Sequence, residues 1–411
     1  PRVLQPKNRG GPAKQVQHFA PDLPSFHVVH IQADHRRAAL ALKPERLPSF
    51  QMLVQTHFPR SLSRSRYDQY LASGWFRGSV MLYKMDLLCI DEQLFSVVNI
   101  RMNLHHHEAT ARQRKIMRRV ESRFTVTYGH AQPNANKEGL YAQHKHKFKG
   151  FVHNTLTEYL NAGFQGTVFD TREVCVYDGD KLIAVSYFDL GELSMASLLG
   201  LYDHAYTRFS LGTYTMLKEA EYGQRTGRKW FYPGYILDKR SDFDYKLKLG
   251  PMEHYTVNKR WAKLENFKPE TTTSHHIHLA TQALMEGLSD IGLPAKPWLY
   301  PYFSMGYMGP WSAFFLRLPA PVELGHDTEG MLVAGYDPET KGYTLMHIHP
   351  CPDASQFLNM EPSSEFQTGE VYLNHLYQTG DTLLAHGSLD DVLLLVAEWS
   401  ARPDIILNAC D

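Results

Sequence analysis

The clearest alternation of hydrophobic and polar positions lies in the middle of the chain. The pattern there predicts three strands, a helix and a fourth strand: EVCVYD (173–178), KLIAVSYFDL (181–190), MASLLGLYD (195–203), LGTYTMLKEAEYGQRTG (211–227) and WFYPGYI (230–236). The turn Asp178-Gly179-Asp180 between the first two stretches is typical of a β-hairpin. In the helical stretch, apolar residues recur at helical spacing from Leu211, and Gly227 follows as a stop signal. This order of elements predicts a layer of mixed α and β structure.

The sequence on either side of this segment is less regular. Residues 108–123 predict a helix, and residues 137–161 predict a second helical region that breaks near Gly150. The stretch ETTTSHHIHLA (270–280) is rich in Thr and His and predicts a linker. Beyond it, GMLVAGYDPETKGYTLMHIHP (330–350) has the pattern of a hairpin.

The residues before the predicted central helix bear on the fold. Acyl-CoA acetyltransferases place a glycine-rich turn here, and backbone amides at the helix N-terminus hold the pyrophosphate. RFSLGT (208–213) has a similar layout, but its spacing differs by one residue and Thr213 replaces the second small residue. We therefore predict an α+β fold, with an acetyltransferase-like (GNAT-type) mixed sheet flanked by helices. The weak phosphate cradle argues against coenzyme A without excluding it.

Composition and charge divide the chain into four predicted regions. They are a flexible arm (1–25), a basic N-terminal region (26–160), an acetyltransferase-like catalytic domain (161–269) and an acidic C-terminal α/β extension of unknown role (281–411). The formal net charge is zero, yet residues 1–50 carry +5, residues 101–150 carry +8 and residues 311–411 carry −12. A basic front half suits a polyanionic partner. RQRKIMRR (112–119) is either a solvated helix face or a helix that contacts phosphates.

Cysteine and histidine patterns give no support for a metal site. The four cysteines lie far apart without a CxxC pair: Cys89, Cys175, Cys351 and Cys410. Histidine runs such as HHHE (105–108) lack the spacing of a zinc motif and predict polar surface. No long apolar run or secretory signal is visible, so we predict a cytoplasmic protein without membrane contact or cofactor. Hydrolase and NTPase functions lack support because neither GxSxG nor GxxxxGK[ST] occurs.

Several stretches together resemble the arginyl-tRNA–protein transferase family. YDQYLASGWFRGS (67–79) supplies residues of an N-terminal signature: Tyr67, Leu71, Gly74, Trp75 and Arg77. A second signature is matched by Gln113, Arg114, Lys115, Arg118 and Arg119. Later motifs are matched by LIAVSYFD (182–189), Tyr202-Asp203, SLGTYTMLKE (210–219), FYPGYI (231–236) and Tyr245-Lys246. The motifs follow the family order, and the resemblance covers about 65–125 and 174–250.

The sequence departs from this family at three points. The family has a cysteine cluster, implicated in iron–sulfur or metal binding, where YKMDLLCIDEQ (83–93) contains only Cys89. Phe76 replaces the first Arg of the family's GFRR element. The acidic stretch beyond residue 281 exceeds the family core. The resemblance therefore transfers no metal cofactor, and it leaves the donor amino acid and the acceptor open.

The reaction that the resemblance implies is aminolysis of an ester. The N-terminal amine of an acceptor protein attacks the bond between an amino acid, arginine in this family, and the tRNA 3′ end. The predicted partners are an aminoacyl-tRNA as donor and the N-terminus of a protein or peptide as acceptor. The alternatives are an acyl-CoA-dependent N-acyltransferase of the same fold and a non-catalytic RNA-binding relative.

The site is expected where Pro233-Gly234 interrupts the strand 230–236. Proline cannot donate to a sheet ladder and glycine permits close approach, so an opening beside the third strand would admit a ligand. The alternative is an incidental bulge in a core strand. Asp189 would orient or deprotonate the amine. The predicted residues are Asp189, Tyr187 and Tyr235 for catalysis; Tyr202, Tyr214, Tyr232, Gly234, Tyr245, Lys246 and Arg77 for substrate binding; and Gln113, Arg114, Lys115, Arg118 and Arg119 for tRNA binding.

Overall fold

A computed structural model of the protein describes residues 52–164, 166–308, 312–351, 361–368, 370–403 and 405–407. The predicted arm at 1–25 lies outside these residues. The helices are α1 (Arg64–Ala72), α2 (Ala111–Glu121), α3 (Ala135–His144), α4 (Leu156–Asn161), α5 (Leu211–Arg225), α6 (Thr273–Asp290), α7 (Ser364–Thr368) and α8 (Leu389–Ser400).

The strands of the first two thirds are β1 (Val54–His57), β2 (Phe76–Gly78), β3 (Met81–Met85), β4 (Leu87–Ile90), β5 (Gln93–Asn103), β6 (Thr125–His130), β7 (Phe151–Val152), β8 (Thr171–Asp178), β9 (Lys181–Leu190), β10 (Ser194–Tyr202), β11 (Trp230–Leu237), β12 (Glu253–Tyr255) and β13 (Trp261–Lys263). Those of the last third are β14 (Lys296–Pro297), β15 (Val322–Asp327), β16 (Gly330–Asp337), β17 (Gly342–Pro350), β18 (Glu361–Pro362), β19 (Tyr377–Gly387) and β20 (Ile406–Leu407).

Two large sheets contain most of these strands. In the described part of the chain the larger has nine strands, ordered β13-β12-β5-β11-β10-β9-β8-β6 with β4 beside β5. The smaller has six, ordered β14-β15-β16-β17-β19 with β20 beside β15. The larger sheet is mixed, because β10 and β11 run parallel whereas its other pairs are antiparallel. A mixed sheet flanked by helices confirms the α+β class.

The elements predicted for the middle of the chain are confirmed. The hairpin is β8 and β9, the third strand is β10, the helix is α5 and the fourth strand is β11. The predicted helix around 108–123 is α2, and the helical region after it breaks into α3 and α4 on either side of Gly150. The predicted hairpin at 330–350 is β16 and β17.

The two faces of the large sheet carry different helices. On one face, here called the α5 face, Met216 and Leu217 of α5 pack with Phe188 of β9 in one apolar core. On the other, the α4 face, Leu140 of α3 and Leu156 of α4 pack with Val185, Tyr187 and Leu201. Neighbouring residues of β9 therefore contribute to opposite faces, as the period of two in a strand requires.

The predicted linker at 270–280 is wrong, because most of it is the first part of α6. Its Ile277 is buried, as are Leu284 and Leu288 at later turns. Apolar residues at this spacing form one helical face, and Leu284 and Leu288 pack with Val392 of α8 against the smaller sheet. The run of Thr and His concealed this helical periodicity.

The proposed regional boundaries are not visible as breaks in packing. Strands β4, β5 and β6 precede residue 160, yet they lie in the same sheet as β8 to β13. One apolar core also combines Val54 and Leu87 with Tyr300, Phe303 and Leu376 from the C-terminal region. The four regions therefore stay a prediction about sequence organisation. Among the described helices, none combines the length and apolarity needed to cross a membrane.

Candidate functional site

Strands β10 and β11 separate in the centre of the large sheet. They pair in parallel only from Ser194–Trp230 to Ala196–Tyr232. Beyond these residues β10 continues to its end against β9 alone, and β11 continues against β5. Pro233 is the next residue of β11 after the last pair, and it has no N–H to donate. The opening, here called the cleft, lies where the sequence predicted one.

The Pro-Gly interruption is also a bulge. Across the pairing of β11 with β5, Phe231 faces Met102 and Gly234 faces Ile100, so β11 contains one extra residue. Gly234 has a φ of +101°, a conformation that a side chain disfavours. The two interpretations from sequence therefore coexist: the bulge lies on the β5 side of β11, and the cleft on the β10 side.

The cleft exposes the backbone of a central strand. Gly200 of β10 is exposed, whereas its neighbours Leu199 and Leu201 are buried. A Cβ atom at Gly200 would lie 3.9 Å from Ser186 Cβ and 3.9 Å from Thr215 Oγ1, which places this opening on the α5 face. A central strand of a covered sheet is normally buried, so an exposed glycine there indicates room for a ligand.

Aromatic side chains cluster around Tyr235 of β11, next to the Pro-Gly interruption. The ring of Tyr235 lies 5.3 Å from Phe243 and 5.4 Å from Phe76, which in turn lies 5.8 Å from Tyr83. Tyr159 of α4 donates a hydrogen bond from its hydroxyl to the carbonyl of Leu198 at 3.0 Å. Burial raises the pKa of Tyr159 to about 12. These hydroxyls are neutral donors at physiological pH, and their rings offer stacking surfaces.

Lys246 lies beside the bulge. Its Nζ donates to the carbonyl of Tyr235 at 2.7 Å and lies 4.7 Å from the centre of the Phe243 ring. A Cβ atom at Gly234 would be 3.6 Å from this Nζ. Burial lowers the pKa of Lys246 to about 7, although Asp244 acts in the opposite direction. The neighbouring Tyr245 is half-exposed, and desolvation raises its pKa to about 12 with a further contribution from Glu219.

Glu219 is a buried carboxyl group that was not among the predicted site residues. It lies on α5 one turn after Thr215, and its side chain is 0% exposed. Ser186 donates a hydrogen bond to its Oε1 at 2.5 Å. Desolvation raises its pKa to about 8, against the opposing effect of hydrogen bonds from Ser186 and Ser197. Its position as the last residue of the motif SLGTYTMLKE (210–219) is the sequence signal that could have identified it.

Asp189, the predicted base, lies in a closed network on the other face. Arg77 and Thr171 donate to its Oδ1, each at 2.7 Å, and the hydroxyl of Tyr67 donates to its Oδ2 at 3.2 Å. Arg77 also donates to Ser79 O at 2.7 Å and to Leu160 O. Both side chains are almost fully buried, and the contacts of Asp189 occupy both of its oxygens, so the pair is enclosed within the fold.

The other predicted tyrosines occupy separate places. Tyr187 is fully buried in the core of the α4 face. Tyr214 is also buried, and its hydroxyl donates to Glu121 at 3.4 Å. Tyr232 is buried, and Arg101 donates to its hydroxyl at 3.5 Å. Tyr202 lies next to the start of α5, where a Cβ atom at Gly212 would be 3.5 Å from its ring. Of the predicted set, the cleft brings together Tyr235, Gly234, Tyr245 and Lys246.

Helix α2 presents most of its predicted tRNA-binding residues to solvent. Arg114, Lys115, Arg118 and Arg119 are exposed. Gln113 is buried instead, and its side-chain amide donates to the carbonyls of Lys248 and Leu249 at 2.8 and 2.9 Å. Gln113 therefore attaches α2 to the 3-10 helix Asp242–Leu249, which also contains Tyr245 and Lys246.

Two further arginines extend this basic surface. The guanidinium groups of Arg119, Arg123 and Arg208 lie 5.7, 5.4 and 5.0 Å from the centre of the Phe209 ring. Arg123 follows α2 and Arg208 precedes α5, so residues far apart in sequence meet here. Across the described ranges, no three His, Cys, Asp or Glu side chains form a group able to hold a metal ion.

Comparisons with known proteins identify similarity to one family profile and to several curated relatives. Residues 127–256 match the sequence profile of a family described as "Arginine-tRNA-protein transferase, C terminus". An aspartate/glutamate leucyltransferase of Leptospira interrogans is 24% identical over 235 residues, covering 55% of this chain and 88% of the relative. A Vibrio cholerae protein of the same name is 23% identical over 208 residues, covering 49% of this chain and 85% of the relative. The matched region contains the cleft, α5 and Lys246.

Solved structures show a weaker similarity. The structure of L-PGS from Bacillus licheniformis is 13% identical, with a TM-score of 0.28, and the match covers 34% of this chain and 48% of that one. A fungal protein with a GCN5-related glucosamine N-acetyltransferase region is also 13% identical, with a TM-score of 0.26, over 48% of this chain and 23% of that one.

Proposed function

We propose that this protein transfers an amino acid from a charged tRNA to the N-terminal amine of an acceptor protein. The observation that carries the proposal is the cleft between β10 and β11, with the exposed Gly200 and a buried Glu and Lys beside it. The similarity of residues 127–256 to an arginine-tRNA-protein transferase family supports it. An acetyltransferase-like topology, in which an acyl group lies between two separated parallel strands, is part of this proposal.

The chemistry needs positioning more than a strong base. An α-amine has a pKa of about 7.7–8.0, so part of it is already neutral at pH 7. Holding the amine and the ester in register supplies about 7–11 kcal/mol of barrier reduction. Backbone N–H groups at the edge of the cleft and neutral tyrosine hydroxyls are suitable donors to the oxyanion. No covalent enzyme intermediate is required.

The donor is proposed to be leucine or arginine, and the aromatic lining favours leucine. The sequence motifs indicate arginine, whereas the two relatives compared above are named leucyltransferases. Phe76 replaces an arginine of the family motif and packs against Tyr235 at the cleft. An apolar donor side chain can pack among such rings, whereas a guanidinium placed among them would lose its hydration without gaining a counter-charge from them.

The acceptor is proposed to begin with Asp or Glu, as the names of these relatives suggest. Lys246 is the cation that would receive its carboxylate. Within the described ranges its ammonium has a carbonyl partner but no ion pair. A carboxylate placed beside it would favour the charged form and compensate for the burial that lowers its pKa to about 7.

The tRNA is proposed to contact the exposed arginines and lysine of α2, extended by Arg123 and Arg208. Guanidinium groups bind phosphates in bidentate geometry, and several of them along one surface follow a polyanionic backbone. Gln113 would position this helix rather than bind tRNA. The link from Gln113 to the 3-10 helix Asp242–Leu249 connects the basic surface with the cleft.

The decisive experiment measures transfer of radiolabelled amino acids from charged tRNAs to peptides. Leucyl- and arginyl-tRNA are tested against peptides that begin with Asp, Glu or Ala. We expect transfer to the acidic peptides and none to Ala. Failure of every charged tRNA to donate would refute the proposal. Stabilisation by acetyl-CoA in a thermal melt would then favour an acyl-CoA-dependent acyltransferase, and salt-sensitive tRNA binding alone would favour a non-catalytic RNA-binding protein.

A further inference from the structure

Glu219 has one carboxyl oxygen that the fold leaves without a partner. Its Oε1 accepts the hydrogen bond of Ser186 at 2.5 Å. Its Oε2 is buried and accepts no hydrogen bond from any described residue. Buried polar atoms are nearly always hydrogen-bonded, so an orphaned oxygen of this kind needs an explanation, and an absent ligand is one.

The position of this oxygen agrees with that explanation. Ser186 and Thr215, one turn before Glu219 on α5, are the two side chains closest to the empty Cβ position of Gly200. Gly200 is the exposed residue of β10 inside the cleft. A group that enters the cleft at Gly200 therefore contacts Ser186, whose hydroxyl is hydrogen-bonded to the Glu219 carboxyl.

The surroundings of Glu219 are polar but uncharged. Ser186 of β9 and Ser197 of β10 face it with hydroxyl groups, and both counteract the desolvation that raises its pKa. Tyr245, from the 3-10 helix Asp242–Leu249, is an ionisable group near enough to respond to its charge, and the pKa of Tyr245 rises partly for that reason. No cation among the described residues neutralises Glu219, so the carboxyl is suited to exchange a proton near neutral pH.

We propose that Glu219 is the general base of the transfer reaction and takes the proton from the attacking α-amine. This assignment rests on the proposed function. The nitrogen lone pair forms the new bond to the ester carbonyl carbon, and the bond from that carbon to the ribose oxygen breaks. The amine proton passes to Oε2 of Glu219 and then to the departing ribose oxygen. The carboxylate is thereby regenerated, and no further reactant is needed.

The test compares Glu219→Gln with the wild-type protein in the peptide transfer assay. We expect a loss of kcat of about 10²–10⁴-fold with little change in the KM for charged tRNA. Glu221→Gln is the matched control, because Glu221 lies two residues further on α5 and forms an ion pair with Lys218. We expect this control to keep the wild-type rate. Equal rates for Glu219→Gln and wild type would overturn the assignment.

The pH profile separates a base from a structural role. In the wild type, both the acceptor amine and Glu219 must lose a proton, so log(kcat/KM) should rise with a slope approaching two below about pH 7.5. In Glu219→Gln the slope should fall to one, since only the amine titrates. An unchanged slope of two in the variant would refute the proposal, even if its rate were lower.

A second variant covers the case in which Glu219→Gln fails to fold. Ser186→Ala removes the hydroxyl that stabilises the Glu219 carboxylate, so the rising limb of the profile should move to higher pH. An unmoved limb would overturn the proposal. If the wild-type protein transfers no amino acid at all, the proposed function fails; if it transfers normally without dependence on Glu219, only this assignment fails.

Discussion

Two buried carboxyl groups lie on opposite faces of the same sheet and differ in how completely they are paired. Asp189 accepts hydrogen bonds from Arg77, Thr171 and Tyr67 and has an arginine counter-charge. Glu219 has the hydroxyls of Ser186 and Ser197 beside it, its Oε2 accepts no hydrogen bond from a described residue, and no counter-charge lies near it among those residues. The place of Asp189 in a sequence motif suggested it as the catalytic base, whereas the contacts in the structure favour Glu219.

The contrast separates a structural acid from a chemically available one. A fully satisfied charge pair stabilises one arrangement of the chain and has no capacity left for a substrate. A half-satisfied acid carries an energetic penalty that folding alone does not justify, and such penalties concentrate at functional sites.

Breaking the network around Arg77 and Asp189 should have the largest effect on the stability of the fold. Arg77→Met leaves Asp189 buried without its counter-charge and should lower the free energy of unfolding by about 3–5 kcal/mol, measured by urea denaturation. The control is Arg64→Met, whose partner Asp170 belongs to an exposed pair with 50% of the Arg64 side chain accessible. That variant should lose at most about 1 kcal/mol. Similar losses in both variants would contradict the network's structural role.

Glu219 should make the free energy of unfolding fall with rising pH, whereas a carboxyl group with a lowered pKa makes it rise. Burial raises its pKa from 4.5 to about 8, so between these values the folded state holds a proton that the unfolded state lacks. Stability should therefore fall as pH rises through this window, by at most about 1.4 kcal/mol per pH unit. Glu219→Gln should remove that decline in denaturation measured from pH 5 to 8. A decline of equal slope in the variant would show that another group causes it.

Lys246 should make the stability of the fold rise with pH, over a higher pH range than the one in which Glu219 acts. Burial lowers its pKa from 10.5 to about 7, so between these values the unfolded chain holds a proton that the folded state lacks. Stability should rise with pH through this window, again by at most about 1.4 kcal/mol per pH unit. Lys246→Met should abolish the rise and be more stable than wild type near pH 7. The variant should also show a weaker preference for acidic acceptor peptides in the transfer assay. An unchanged preference would disprove the proposed role of Lys246 in acceptor binding.

The basic surface of α2 should affect binding without affecting stability. Arg118→Ala combined with Arg119→Ala should weaken tRNA binding and reduce the slope of log K against log salt by about two, one for each lost phosphate contact. The exposed Lys263 and Lys268 lie outside this surface and supply the control double variant. Equal slopes for the two double variants would exclude α2 from the tRNA contact.

Local pattern determined much of the fold in advance. The β8–β9 hairpin, β10, α5 and β11 follow from periodicity and turn residues within a single stretch of chain, and all of them form as predicted. The segment 270–280 did not follow, because its polar composition concealed a helix whose apolar positions contact a distant sheet. Gln113 was assigned to tRNA binding together with the other residues of its family signature, although its side chain is buried and bonds to the 3-10 helix Asp242–Leu249.

The sequence alone determined where the sheet is interrupted, because Pro233 lacks an N–H and Gly234 permits a positive φ whatever the surroundings. That the interruption is both a bulge and a cleft follows from strand pairing, because it depends on which strands lie on each side of β11. The same is true of the two acids. Arg77 pairs with Asp189 across 112 residues, and Glu219 contacts Ser186 across 33. Burial and pairing set the behaviour of a charge, and both come from residues that sequence proximity does not reveal.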